Sequence, residues 1–126
     1  MNKLSIPYPT LGIDLDGTIT ENSLLFHVLT HNWPGRVVVV TYRDSIEQTV
    51  KDLEKLYIKY DKVVLASSMD KSSIIRDYEI DVYIDDQDEM TQNIPESVTV
   101  LKMRNAGNFD FEDKKWLYSD KTGKMV

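Results

Sequence analysis

The residues best equipped for chemistry stand in one short run, Asp14-Leu15-Asp16-Gly17-Thr18, directly after the apolar Leu11-Gly12-Ile13. Two carboxylates two positions apart repel each other, so they require a cation, a shared proton, or both. Neither is cheaply buried unpaired among apolar side chains. Gly17 permits a sharp backbone turn just behind them, and Thr18 adds a hydroxyl. A second pair of acids, Asp85 and Asp86, closes the run Val82-Tyr83-Ile84, and a hydroxyl, Thr41, closes Val37-Val38-Val39-Val40. His27 and His31 lie four apart, a spacing able to bind metal on one helix face. They lack the glutamate of the zinc-protease pattern, and a packing or surface role is the better reading.

These groups need elements to position them. Leu11 to Leu15 reads as a buried strand. Leu24, Leu25, Val28 and Leu29 recur at helical spacing over about 23–30, with Asn22 or Ser23 as N-cap, and Trp33-Pro34-Gly35 is a turn. Residues 36–41 carry an unbroken β-branched run, Val37 to Thr41, which predicts a strand buried on both faces. A long helix is expected over about 44–60, capped by Asp44, with Ile46, Val50, Leu53, Leu56 or Tyr57, and Tyr60 as its apolar stripe. Strands follow at 62–66, 81–85 and 98–103, with a short helix at 71–78 turning Ile74, Ile75 and Tyr78 inward. Strands alternating with helices predict an α/β fold: a Rossmann-like three-layer α/β/α sandwich around a mostly parallel five-stranded sheet. Ligands of such sheets bind at strand carboxyl ends, where Asp14, Asp16, Thr41, Asp85 and Asp86 converge.

With 126 residues the chain is expected to form a single domain, 1–126, with a core at about 11–103. The tail, 104–126, is expected to close as a small hairpin over a sheet edge, with Gly123 in its turn. A net charge of −6 argues against broad binding to nucleic acid or anionic membrane. There is no apolar run of membrane-spanning length, no secretion-signal pattern and no cysteine, so a cytoplasmic protein is expected.

In this order and spacing, the motifs resemble the haloacid dehalogenase-like (HAD) hydrolases. Asp14-Leu15-Asp16-Gly17-Thr18 matches the family's first motif in full, and Thr41 after its apolar strand matches the second, with Tyr42-Arg43 completing a Thr-x-Arg form. Lys71, near the start of a helix, fits the third motif better than Lys62, which opens a strand; Asp85-Asp86 fits the fourth. The resemblance implies a Mg²⁺-dependent phosphatase acting on a phosphate monoester, either a small molecule or one borne on a polymer. It makes Asp14 the nucleophile that becomes an aspartyl-phosphate, and Asp16 the acid and base. Thr41 would hydrogen-bond a phosphoryl oxygen, and Lys71 would offset charge on Asp14 and the phosphate. Gly17 and Thr18 would turn backbone N–H groups towards the substrate, and Arg43 is either a substrate contact or a structural ion pair. Mg²⁺ would be held by Asp14, the Asp16 backbone carbonyl and either Asp86 or Asp85. Asp86 is preferred because Asp85 stands where many relatives carry glycine.

The gaps between these motifs hold one helix or one helix and a strand, so the resemblance is to a member with no cap domain and an open site. Shielding and selectivity would then come from the helix after Asp16, the tail, a second subunit of a homo-oligomer, or the substrate. Phe26, Trp33, Tyr42 and the tail aromatics are candidate rim residues, with core packing the better reading for most of them. Two alternatives remain beside the phosphatase: a phosphoacceptor receiver-like signalling module, and a catalytically silent HAD-fold binding protein.

Overall fold

The structure is a computed structural model that describes residues 8–68, 70–91, 93–103, 109–110 and 112–116. Five strands, β1 (Leu11–Ile13), β2 (Val37–Thr41), β3 (Lys62–Leu65), β4 (Val82–Asp85) and β5 (Thr99–Lys102), form one sheet in the order β3-β2-β1-β4-β5. Every pairing in it is parallel, so the sheet is fully rather than mostly parallel. The connecting helices are α1 (Ser23–Asn32), α2 (Ile46–Lys55) and α3 (Ser72–Asp77), with 3-10 turns at Ile19–Glu21 and Asp88–Thr91. No helix among the described residues is long and apolar enough to cross a membrane.

The two faces of the sheet are covered separately, as strand alternation requires. Val37 and Val39 join Leu11, Ile13 and Leu15 in a cluster with Phe26 of α1 and Leu53 of α2. Val38 and Val40 face the other way, into a cluster with Ile75 of α3, Ile80 and Tyr83. All five residues of β2 are buried, as its β-branched run predicts. Gly12 lies on the α3 face because no side chain fits there. A Cβ would stand 2.8 Å from Ile80 Cδ1 and 2.9 Å from Tyr83 Cδ1.

The helices differ from expectation in instructive ways. In α1, Leu24, Leu25 and Val28 are exposed, while Phe26 and Thr30 are buried and Leu29 is partly buried. Thr30 can go inside because its hydroxyl donates to the Phe26 carbonyl at 2.7 Å, satisfying its polarity within the helix. Phe26 is therefore core, the role expected for most of these aromatics. Asn22 caps α1, its Oδ1 accepting from Leu25 N–H at 3.1 Å. α2 is shorter than the apolar pattern suggests. It is capped by Ser45, whose Oγ accepts from Gln48 N–H, and not by Asp44. It ends in a Schellman motif: Ile58 N–H donates to Leu53 O and Tyr57 N–H to Glu54 O, with Tyr57 at φ 55°. Tyr57 is thus 73% exposed and off the apolar stripe, as is Ile46 at the other end. α3 ends the same way, with Ile80 N–H on Ile75 O and Glu79 at φ 54°. In both motifs the flanking apolar pair, Leu53 with Ile58 and Ile75 with Ile80, is buried in one cluster.

Two short strands, β6 (Phe109–Asp110) and β7 (Lys115–Trp116), pair antiparallel outside the main sheet. The expected tail hairpin around Gly123 lies outside the described residues.

Gly12→Ala should lower unfolding stability by about 1–3 kcal/mol, as overpacking does in a filled core. Urea denaturation followed by circular dichroism checks this, and no change in midpoint would show that the Ile80–Tyr83 contact yields freely.

Candidate functional site

The strand order reverses between β1 and β4, since the chain proceeds outward through β2 and β3 and then crosses back. Register brings the polar strand ends together there. Ile13 pairs with Val39 on one side and Ile84 on the other, so Asp14, Val40–Thr41 and Asp85 share one edge. Asp14 N–H extends the ladder by donating to Ile84 O at 3.0 Å. By period-two alternation Asp14 shares a face with Gly12, and Asp85 with Tyr83, which is the face that α3 covers. Lys71 immediately precedes α3.

Its side chain is fully buried and reaches into this cluster. Lys71 Nζ lies 2.8 Å from Asp14 Oδ1, 3.0 Å from Asp85 Oδ2, 3.0 Å from the Val40 carbonyl and 3.0 Å from Tyr83 Oη. The Tyr83 hydroxyl donates onward to Asp85 Oδ2 at 2.6 Å, and Asp85 Oδ1 accepts from Gln87 N–H. Thr18 Oγ1 stands between Asp14 Oδ2 (3.3 Å) and Asp86 Oδ1 (3.4 Å). Asp14, Asp85 and Asp86 are all buried, and each offers a carboxylate oxygen within 4.8 Å of the others. Three carboxylates therefore face one ammonium. If all ionise, two negative charges remain uncompensated, and a divalent cation held by oxygen ligands matches both that charge and that donor set. The three acids could hold a metal ion.

Electrostatics follow the burial. Burial raises the Asp14 pKa to about 6; Lys71 pulls it down, and Asp85 adds to the rise. Burial alone would lower Lys71, but the Asp14 and Asp85 carboxylates outweigh it and hold the lysine above its ordinary value. Burial, then Asp85 and Asp14, push Tyr83 well up, so its hydroxyl stays a donor.

A cleft of about 180 Å³ opens beside the cluster, lined by Asp14, Asp16, Thr41, Tyr42 and Asp86 among others. Asp85 does not line it, because its oxygens turn inward to Lys71, Tyr83 and Gln87. Thr41 Oγ1 is buried and has no hydrogen-bond partner among the described residues. Asp16 sits at the mouth, its side chain 56% exposed, in a two-pronged ion pair: Arg43 Nε and Nη2 each donate to one of its oxygens at 2.8 Å. Arg43 Nη1 also reaches Asp52 Oδ2 at 2.7 Å. The hydrogen bond to Asp16 is the main reason the guanidinium is held above its usual range. Arg43 thus appears in this structure as an ion-pair bridge between the motif loop and α2. Gly17 has φ 82°, a conformation glycine tolerates; its N–H donates to Thr20 Oγ1, and Thr18 N–H donates to Leu15 O. Both N–H groups are engaged within the turn, and it is the Thr18 hydroxyl that faces the acids.

The structure thus gathers Asp14, Thr18, Thr41, Lys71, Asp85 and Asp86, with Asp16 and Arg43 at the mouth. Sequence reasoning missed Tyr83 and Asp52. Tyr83 was findable, since it lies two residues before Asp85 and so on the same face of one strand. Nothing in the sequence pairs Asp52 with Arg43. The histidine pair lies elsewhere: the rings are 4.4 Å apart, and each Nδ1 meets a backbone carbonyl, of Tyr57 and of His27.

Lys71→Met should cost about 3–5 kcal/mol of stability, the usual penalty for stranding buried partner charges. The pH dependence carries a sign. Asp14 has its pKa raised from 3.8 to about 6 on folding, so the metal-free native state binds the extra proton and loses stability as pH rises through that window. Without the lysine the window moves upward, so the variant's deficit should be larger at about pH 8 than at about pH 5. Denaturant melts at both pH values measure it, and an equal deficit would contradict the charge account. Comparison of this chain with protein-family models, with curated proteins and with solved structures finds no match.

Proposed function

We propose that this chain is a Mg²⁺-dependent phosphomonoesterase of the HAD-like type, without a cap domain, working through an aspartyl-phosphate. The observation that carries the reading is Asp14: a buried carboxylate with one oxygen held by Lys71, lining a small cleft beside Asp86 and the Thr41 hydroxyl, which has no partner among the described residues. Phosphoryl transfer asks mainly for positioning and charge neutralisation, and this arrangement offers both. Asp14 and Asp86, with the Asp16 backbone carbonyl, would hold Mg²⁺, which when bound neutralises charge on the phosphoryl oxygens. The inward turn of Asp85 favours Asp86 as the ligand.

The residues divide the work. An Asp14 oxygen attacks phosphorus in line and the ester P–O bond breaks, while Asp16, protonated on one oxygen and still paired with Arg43 through the other, gives that proton to the departing alkoxide. Asp16 then takes a proton from the water that attacks the aspartyl-phosphate, releasing inorganic phosphate and restoring Asp14. Thr41 Oγ1 donates to a phosphoryl oxygen, and Lys71 keeps Asp14 aimed and ionised. The Arg43 fork fixes Asp16 at the mouth of the cleft. Among the described residues, the β1–β2 connection holds a 3-10 turn and α1, and the β2–β3 connection holds α2, which supports an open, capless site. The receiver-like alternative needs an acid at the end of β3, where Leu65 and Ala66 stand.

Release of inorganic phosphate from a panel of sugar phosphates, nucleotides and polymer phosphates tests the reading. Activity should need Mg²⁺ and vanish with a chelator. Asp14→Asn should lose at least ~1,000-fold in kcat, as removal of a nucleophile does. Asp86→Asn should raise the Mg²⁺ concentration for half-activity by at least ~10-fold. No turnover of any ester with Mg²⁺, or wild-type turnover by Asp14→Asn, would sink it.

A further inference from the structure

A second cavity adjoins the acid-lined cleft and is far larger, about 610 Å³ against 180 Å³. It is lined by Tyr42, Arg43, Asp44, Leu65, Ala66 and Ser67, at the carboxyl ends of β2 and β3. Tyr42 lines both spaces and is the wall they share. The smaller cleft is sized for a phosphoryl group and its cation; the larger falls within the range of small-molecule sites.

We infer that this larger cavity is the leaving-group subsite, and that it takes the uncharged, ring-bearing part of a phosphomonoester, a nucleoside above all. The inference rests on the phosphatase reading and adds the substrate class. Charge argues for a neutral occupant. The one cation among the described lining residues, Arg43, already holds both oxygens of Asp16 and one of Asp52, and Asp44 adds a carboxylate. Among the described residues no lining cation is left over to receive a second phosphate or an acid group, so monophosphates of neutral alcohols fit and diphosphates do not. Shape and surface argue for a ring. Tyr42 is 51% exposed at the junction of the two spaces, and Leu65 adds apolar surface. A flat heterocycle stacked on Tyr42 would dehydrate that ring, while Ser67 and Asp44 offer polar contacts at the edge.

The test compares kcat/KM for adenosine and uridine 5′-monophosphates with that for ribose 5-phosphate, which carries the same 5′ ester without a base. The better nucleotide should be preferred by at least ~10-fold, the size of one base–aromatic stack. In Tyr42→Ala that ratio should fall towards one, whereas Tyr42→Phe should keep it. Adenosine 5′-diphosphate should be a poorer substrate than the monophosphate. Equal kcat/KM for nucleotide and ribose ester, or a ratio unchanged in Tyr42→Ala, would overturn the assignment. Calorimetric titration with adenosine alone gives a readout that needs no turnover: binding to wild type, weakened in Tyr42→Ala and retained in Tyr42→Phe, supports the subsite, and no binding counts against it. If no ester is turned over, the phosphatase reading fails and this titration still decides the subsite.

Discussion

A buried ammonium cannot stand alone, and the ammonium of Lys71 sets the terms for everything around it. Its side chain has no exposure to water, so its charge must be met by protein at close range. Asp14 and Asp85 meet it directly, Val40 contributes a carbonyl, and Tyr83 contributes a hydroxyl. Those partners come from β1, β2 and β4, while Lys71 itself leads into α3. One side chain thereby ties three strand ends and a helix start to within about 3 Å of a single nitrogen. The dependence runs both ways, since Asp14 and Asp85 without the lysine would be two buried carboxylates in mutual repulsion. The same contacts that stabilise this edge hold Asp14 in a fixed orientation, which is what an attacking carboxylate requires.

The sheet makes that convergence possible. A parallel sheet directs all its carboxyl ends to one side, and the reversal of order between β1 and β4 leaves a crevice there with no crossover covering it. Close packing beneath the site depends on Gly12, where the Ile80 and Tyr83 side chains occupy the room a Cβ would need. Tyr83 is thus held from below by packing and from above by Asp85, so its hydroxyl has little freedom to leave the network. Fold and site share residues here, and damage to one reaches the other.

How far the sequence disclosed this can be judged element by element. The β-branched run of β2 and the acids closing β1 and β4 are local patterns with one sensible physical reading, and the strands lie where those patterns put them. The helices were harder. In α1 hydropathy favoured Leu24, Leu25 and Val28, but the helix buries Thr30, whose hydroxyl bonds back to the Phe26 carbonyl; a hydropathy pattern does not register that. The stop of α2 was hidden because Tyr57, not glycine, takes the left-handed position of the Schellman motif. Of the site, Asp14, Thr41 and the Asp85–Asp86 pair could be reasoned from strand ends. Lys71 could not, because a lysine beside a short helix is usually solvated, and only the resemblance singled it out. The Arg43–Asp16–Asp52 bridge joins residues far apart in sequence, and its existence depends on tertiary geometry alone.

The charge of the site also constrains how a substrate could enter on the phosphatase reading. The chain carries a net charge of −6, and its cleft is bordered by acids of the same sign as a phosphate dianion. Lys71 cannot attract the dianion from outside, since its ammonium is wholly buried and already engaged. Arg43 is nearer the mouth, yet its guanidinium is shared between Asp16 and Asp52. An incoming phosphate therefore meets net repulsion until the excess negative charge of Asp14, Asp85 and Asp86 is offset. Cation first and phosphate second is the order that this charge distribution favours. In that order Thr41, a hydroxyl without charge and without a partner among the described residues, would contribute a hydrogen bond to the phosphoryl group at no cost in breaking an existing one.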